Sequence, residues 1–219
     1  MATRGPAPGV ARWVSDTTDE RFAGVRRVEV ELAAGRVELG SRNRPDVRAR
    51  LTLAVVGWRA RLARLRPPRL PSVVVDGDVL RVVCRRRSRK VRLQLDLPDD
   101  VTVDVAVGEG DITSWGAGGR FRLAVGQGAV VGRDLRTPQV SATCGKGEIN
   151  LHFVVVPEQV EAETTSGPCV VVVPRGAAYA VRGQPRELTV DVDDAARARI
   201  SVVGDARTAV LGDRGSERI

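Results

Sequence analysis

Arginine is the side chain in this sequence best suited to binding a ligand, and it is unevenly distributed along the chain. Residues 42–92 hold 16 basic side chains against 3 acidic ones, whereas residues 101–219 hold 13 against 15. A segment of this charge attracts nucleic acid, anionic lipid head groups or an acidic protein surface. Alternatively, these arginines are ordinary solvated surface residues that bind no partner. The candidate patch for an anionic partner consists of Arg59, Arg61, Arg64, Arg66, Arg85, Arg86, Arg87, Arg89 and Lys90.

Groups that perform catalysis or bind metals are scarce. The chain has one histidine, His152, and three cysteines that are far apart in sequence, Cys84, Cys144 and Cys169. The cysteines are odd in number and lack C-x-x-C spacing, so neither a zinc site nor a disulfide framework is indicated. No G-x-S-x-G elbow supplies a nucleophile for the histidine. We therefore predict reduced, buried thiols, no metal, no cofactor, no small-molecule substrate and no enzymatic activity.

Paired glycines recur in the second half of the chain and invite comparison with a phosphate loop. The pair Gly145 and Gly147 lacks the G-x-x-x-x-G-K-[ST] spacing that places backbone amides around a phosphate. The second glycines of successive pairs are separated by 18, 19 and 20 residues, which indicates a structural repeat. The predicted structural turn glycines are Gly110, Gly128, Gly147 and Gly167.

The segments before these glycines are predicted to be strands because apolar and polar residues alternate in them. Val103, Val105 and Val107 precede the first pair, and equivalent apolar triplets precede the next two. A strand with this period buries one face, and a short repeat needs neighbours on both sides to cover it. We expect the triplets to stack over one another. The polar residues expected to face water are Thr102, Asp104, Arg120, Arg122, Ser141 and Thr143.

The predicted fold class is all-β, a single-stranded β-solenoid of stacked 18–20-residue coils. One segment departs from the strand pattern. Trp58, Leu62 and Leu65 lie at helical spacing among arginines, before the pair Pro67 and Pro68. This spacing predicts a short basic helical insertion near residues 58–66. The insertion either packs over the end of the solenoid or binds a membrane or a partner.

Composition divides the chain into three parts. Residues 1–23 are rich in Pro, Gly and small polar residues and are predicted to be a mobile arm, and residues 213–219 are predicted to be a frayed tail. Residues 24–212 form one solenoid-like domain, with a basic first half (24–97) and regular coils (98–212). No apolar run has the length of a signal peptide or a membrane span. We therefore expect a cytoplasmic protein, peripheral to a membrane if the basic segment binds one.

The repeats resemble those of a bacterial domain-of-unknown-function family of β-strand-repeat proteins called "putative adhesins". The matching features are V-E-V-E-L-A-A-G-R-V-E-L-G at 28–40, the L-x-L-x-L-P strand at 93–98, recurrent V-x-V-x-x-x-x-G-x-[IV] units, and T-T-S-G at 164–167. The similarity covers about residues 25–212, with G-x-G in place of two of the usual S-G turns. The resemblance implies a divergent member, a single-stranded β-solenoid and no established chemistry. Members are often exported or membrane-linked.

These features favour a non-enzymatic structural or protein-interaction module. Open ends of a solenoid expose strand edges, which favours assembly with a second copy or a protein partner. The alternative is peripheral binding of an anionic membrane or nucleic acid through the Arg-rich segment 42–92. The basic run at 85–90 has no interleaved aromatic residue, so any nucleic-acid binding would be independent of base sequence and sensitive to salt.

Overall fold

The computed structural model describes residues 15–41, 46–55, 71–85, 89–116, 118–205 and 207–212. Every regular element among them is a β-strand, which confirms the predicted all-β class, and the strands belong to one open sheet. In chain order the strands are β1 (Ser15–Phe22), β2 (Arg27–Ser41), β3 (Val47–Val55), β4 (Ser72–Asp76), β5 (Val79–Cys84), β6 (Arg89–Leu97), β7 (Thr102–Trp115), β8 (Arg120–Leu135), β9 (Gln139–Phe153), β10 (Gln159–Ser166), β11 (Cys169–Val173), β12 (Ala178–Gly183), β13 (Glu187–Leu188), β14 (Asp191–Val192), β15 (Ala198–Val203) and β16 (Ala209–Gly212).

Four long strands form the middle of the sheet, where β2, β7, β8 and β9 pair in parallel, each with the next. Branched apolar residues alternate with polar ones along them, which suits a half-buried pleated strand. The register sets Val103 opposite Phe121 and Phe121 opposite Val140, and all three side chains are buried. The predicted stacking of apolar triplets is therefore confirmed, and the six polar residues between them lie on the solvent side, exposed or half-buried.

A column of glycines crosses these strands at mid-length. Gly110, Gly128, Gly147 and Gly167 have φ between +132° and +139°, a conformation that residues with a Cβ rarely adopt. A Cβ on any of them would overlap the carbonyl oxygen of the glycine before it in the column, which begins at Gly35. The two halves of a long strand have different neighbours around this point. The first half of β9 pairs with β10 and its second half pairs with β11.

Antiparallel strands form one end of the sheet, beyond β2. The first half of β2 pairs with β5 and its second half with β6, both in parallel. Beyond them β4 pairs with β5, β3 with β6 and β1 with β3, all antiparallel. A two-residue turn at Gly77 and Asp78 joins β4 to β5, and Gly77 has φ of +60°, as tight hairpin turns require. The parallel repeat in the sequence does not predict this antiparallel layer.

The other end of the sheet does not follow chain order. β15 lies between β10 and β12, and β16 lies between β11 and β13. The sequence pattern around Leu188, Val190 and Val192 predicts one more alternating strand. The structure instead has two short strands there, with the Leu188 side chain 44% exposed and the Val192 side chain 49% exposed. Val190 between them packs partly against the core, and β15 and β16, the last strands of the chain, occupy the inner positions beside β12 and β13.

The predicted helical insertion finds no support. None of the described residues is helical, and residues 58–66 lie outside them. β1 lies within the segment predicted to be an arm, and residues 1–14 and 213–219 are also outside the described part. Within the described residues there is no helix with the length and hydropathy needed to cross a membrane.

Candidate binding groove

Most of the predicted anionic-partner patch lies outside the described residues. Arg59, Arg61, Arg64, Arg66, Arg86 and Arg87 all do. The backbones of Arg89 and Lys90 belong to β6, opposite Val55 and Ala54 of β3. Arg85 is the one patch residue whose side chain is described, and its Nε lies 3.3 Å from Oε1 of Glu31.

The described arginines of the basic segment are held by carboxylates from β1 and β2. These acidic residues are 29 to 54 positions away in the chain, so they are absent from a charge count over residues 42–92. Paired strands bring the opposite charges together, and this lowers the local positive field. The pairs are Arg48 and Arg50 with Asp19, Arg81 with Glu29, Arg85 with Glu31, and Arg92 with Glu38.

Asp19 shows the electrostatic consequence most clearly. Its carboxylate accepts hydrogen bonds from Arg48 Nε at 2.7 Å and from Arg50 Nη2 at 3.0 Å. These bonds hold the pKa of Asp19 well below its usual range. Because the folded state favours the ionised form, this pairing stabilises the fold above about pH 4, the ordinary pKa of aspartate, and the contribution declines as the pH falls below it.

A groove crosses the outer face of the first halves of β7, β8, β9 and β10 and reaches the start of β2. It is an open concavity of about 350 Å³. The strands that carry it are in register, so each outward position of one strand lies beside the equivalent position of the next, about 4.8 Å away. Its polar lining is made by Arg27, Thr102, Asp104, Arg120, Arg122, Gln139, Ser141, Gln159 and Glu161.

Arg120 and Arg122 lie in this groove on alternate positions of β8. Both side chains are exposed, and neither makes an ion pair with any carboxylate of the described chain within 4.0 Å. The acidic groups of the groove are engaged elsewhere. Asp104 lies 3.8 Å from Arg27 Nη2, and Glu161 accepts a hydrogen bond from Gln159 at 2.8 Å.

Two guanidinium groups on alternate positions of one strand can each hold one anionic group of a ligand. Each guanidinium has five N–H donors in a planar fork that matches a carboxylate or another oxyanion. Alternate residues of a strand have Cα atoms about 6.7 Å apart, so Arg120 and Arg122 extend their two forks from neighbouring positions on one face of β8. The alternation in the sequence predicts both residues on the solvent side, and in the structure they lie together in a concavity without an ion pair to a described carboxylate.

The remaining candidate residues for chemistry are the histidine and the three cysteines. His152 lies outward on β9 as its alternation predicts, with Nδ1 3.6 Å from Asp134 Oδ1. Within the described residues no cluster of three or more His, Cys, Asp or Glu is placed to hold a metal ion. Cys84, Cys144 and Cys169 are free and buried. Burial raises the pKa of Cys169 to about 12 and also raises the pKa of Cys144.

We expect the native protein to be unreactive towards a thiol reagent such as 5,5′-dithiobis(2-nitrobenzoate) at about pH 8.5, the ordinary pKa of cysteine. Cys169 is inaccessible and protonated there, because only the thiolate attacks the reagent. Three equivalents of thiol should appear after unfolding in urea. Rapid reaction of Cys169 in the folded protein, located by peptide mapping, would show that this part of the core is open.

Comparisons with known proteins give distant structural neighbours. No family model and no curated protein matches the chain. A "putative cell adhesion protein" from Clostridium sporogenes has a TM-score of 0.43 at 7% identity, with 90% of this chain and 98% of that chain covered. A "putative adhesin" from Bacteroides fragilis gives 0.42 at 10%, with 91% and 97% covered. A "putative lipid binding protein" from Parabacteroides distasonis gives 0.36 at 9%, with 90% and 96% covered. Likeness at this level transfers no residue roles to this chain.

Proposed function

We propose that the protein is a non-catalytic binding module built on a single-stranded β-solenoid. The path of the chain supports the solenoid. β7 ends at Trp115 and β8 begins beside the start of β7 at Arg120, so five residue steps must return the chain. Five steps span at most about 18 Å, whereas a straight strand of 14 residues is about 46 Å long. The strand must therefore fold back on itself, and the glycine column supplies the corner.

The function that the geometry favours is recognition of an acidic, extended polypeptide by the groove. The observation that carries this proposal is the pair Arg120 and Arg122, which are exposed, unpaired with described carboxylates and one alternate position apart. An extended peptide carries alternate side chains at the same separation of about 6.7 Å. Two carboxylates of such a peptide would each meet one guanidinium, and the neighbouring Gln139 and Ser141 offer hydrogen bonds to its backbone.

Mixed charge in the groove favours a protein partner over a polyanion. Asp104 and Glu161 line the same concavity as the two arginines. A nucleic acid or an anionic bilayer presents continuous negative charge, which these carboxylates would repel, and nucleic-acid binding draws on many phosphate contacts at once. A peptide with separated carboxylates fits between the acidic groups. The alternative site in residues 42–92 is weakened, because its described arginines already have carboxylate partners.

The test is titration of the protein into a fluorescein-labelled peptide in which glutamate and threonine alternate, followed by anisotropy. Binding should weaken as salt is raised. Combining Arg120→Gln with Arg122→Gln should weaken it at least about tenfold, because charge-assisted hydrogen bonds contribute about 1.5–3 kcal/mol each and 1.4 kcal/mol is a factor of ten. Arg133→Gln is the matched control, an exposed arginine of β8 beyond the corner.

Three outcomes would contradict the proposal. The first is equal binding of a peptide with glutamine in place of glutamate. The second is unchanged affinity in the double variant, and the third is an equal loss in the Arg133→Gln control. Binding of duplex DNA or phosphatidylserine vesicles that survives the double substitution would instead favour the basic segment 42–92 as the functional surface.

A further inference from the structure

β4 is an edge strand with a defined set of outward-pointing backbone groups. Among the strands that the structure describes, it pairs with β5 and with no other. Asp76 and Val79 flank the two-residue turn, so they form a hydrogen-bonded pair and the pattern alternates from there. The N–H and C=O groups of Val73 and Val75 therefore point away from β5, as the free edge of a sheet does.

The side chains of β4 leave apolar surface in water. Val74 is 51% exposed and Val75 is 45% exposed, although Val73 packs partly against the core. Val74 and Val75 point to opposite faces of the strand, so apolar surface is open on both. Natural edge strands are usually blunted by lysine, proline or a bulge. The sequence Ser-Val-Val-Val-Asp has none of these between its ends.

This strand is complementary to itself when two copies run antiparallel about Val74. Val73 of one copy then faces Val75 of the other, and these are the residues whose backbone groups point outward. Both such pairs can exchange two hydrogen bonds, which gives four across the junction. Asp76 faces Ser72, so no like charges are opposed. Val74 packs against its own copy at the two-fold axis.

We propose that β4 is a homodimerisation strand, through which a second copy of this chain adds its own β4 to the edge. The contact is isologous, so it closes after two copies and does not propagate. The occupant is a second copy because the outward backbone groups, the apolar side chains and the charges all match in one symmetric register. Strand addition at a sheet edge supplies backbone hydrogen bonds, and the exposed valines supply apolar contact.

A cysteine cross-link tests the register directly. Val74 faces itself in a non-hydrogen-bonded pair, where Cα atoms are about 4.5 Å apart, within the range that a disulfide spans. Val74→Cys should therefore give a covalent dimer under mild oxidation, seen on a non-reducing gel. Val203→Cys is the control, because Val203 is equally exposed at 51% and lies on β15. The native cysteines are buried and do not compete.

Sedimentation velocity over a concentration series measures the non-covalent dimer. Val74→Lys sets two lysines against each other at the axis and should raise the dissociation constant at least about tenfold. Val75→Pro should do the same, because it removes an outward N–H and leaves the β4–β5 ladder intact. Val203→Lys should leave the dimer unchanged, and far-ultraviolet circular dichroism should show that all variants are folded.

A wild-type protein that stays monomeric at its highest soluble concentration would overturn the proposal. A dimer that Val74→Lys and Val75→Pro leave intact would also overturn it, as would a dimer lost in Val203→Lys. Peptide binding by the groove is a separate measurement. A monomeric Val74→Lys variant should keep it, because Arg120 and Arg122 lie on β8, which is separated from β4 by β5, β2 and β7.

Discussion

Gly128→Ala is expected to destabilise the protein by more than about 4 kcal/mol, a large part of the roughly 5–15 kcal/mol that keeps a typical domain folded. The new Cβ would overlap the carbonyl oxygen of Gly110 and lie 3.2 Å from Asp111 Oδ1. Both atoms belong to the neighbouring strand β7, and the Gly110 carbonyl is backbone, which cannot swing aside as the Asp111 side chain can. Relief requires β7 and β8 to separate, which breaks ladder hydrogen bonds. The φ of +139° adds further strain.

The variant Gly176→Ala separates the effect of positive φ from the effect of close contact with neighbouring backbone. Gly176 also has positive φ, +81°, but a Cβ there would meet no atom within 4 Å. We expect Gly176→Ala to lower the free energy of unfolding by about 1–2 kcal/mol, the cost of a residue with a Cβ in the left-handed conformation. Urea unfolding followed by circular dichroism gives both values. Equal losses at the two positions would show that conformation alone, and not close approach of backbones, explains the glycine column.

Phe153→Ala is the second large effect, with an expected loss of about 3–5 kcal/mol in the free energy of unfolding. Phe153 is fully buried at the end of β9, opposite the equally buried Leu135. The register between β8 and β9 shifts just before this pair, so the buried ring lies where the pairing of the two strands changes. Its removal leaves a cavity that neighbouring backbone cannot close without changing that register.

Urea denaturation measures this loss too, with Val203→Ala as the control. Val203 is half-exposed, so its truncation should change the unfolding free energy by no more than about 0.5 kcal/mol. If Phe153→Ala costs as little as the control, the end of β9 is not part of the cooperative core. A changed slope of free energy against urea would indicate a change in the surface exposed on unfolding.

The predictions that the structure confirms rest on the local alternation of apolar and polar residues. Ile149, Leu151 and Phe153 are buried and the residues between them are not, because strand geometry sends alternate side chains to opposite faces. What alternation cannot provide is the order of strands. β15 lies between β10 and β12 through pairing across some forty residues of chain. Tyr179, fully buried with its hydroxyl donating to the Pro174 carbonyl at 2.8 Å, depends on that order and was not identified from sequence.

The order of strands also decides which charges meet, and a charge count along the chain does not contain it. A count along the chain correctly finds basic residues concentrated in 42–92, but it cannot see that Glu29 of β2 lies against Arg81 of β5. Conversely, Arg120 and Arg122 are ordinary outward residues of a strand in the sequence. The register with β7 and β9 sets Arg122 between Asp104 and Ser141, and Asp104 lies 3.8 Å from Arg27 Nη2, an arrangement that sequence repeats predict only in part.

The spacing around the glycine column also bears on how such a molecule can change in length. Thr102, Arg120, Gln139 and Gln159 each precede their corner glycine by 8 residues, whereas the next strand begins 10, 11 and then 12 residues after Gly110, Gly128 and Gly147. Variation is thus confined to one side of the corner. A duplicated unit should pair in parallel with its neighbours in the same register, and each added unit would widen the outward face of the sheet by a single row of side chains.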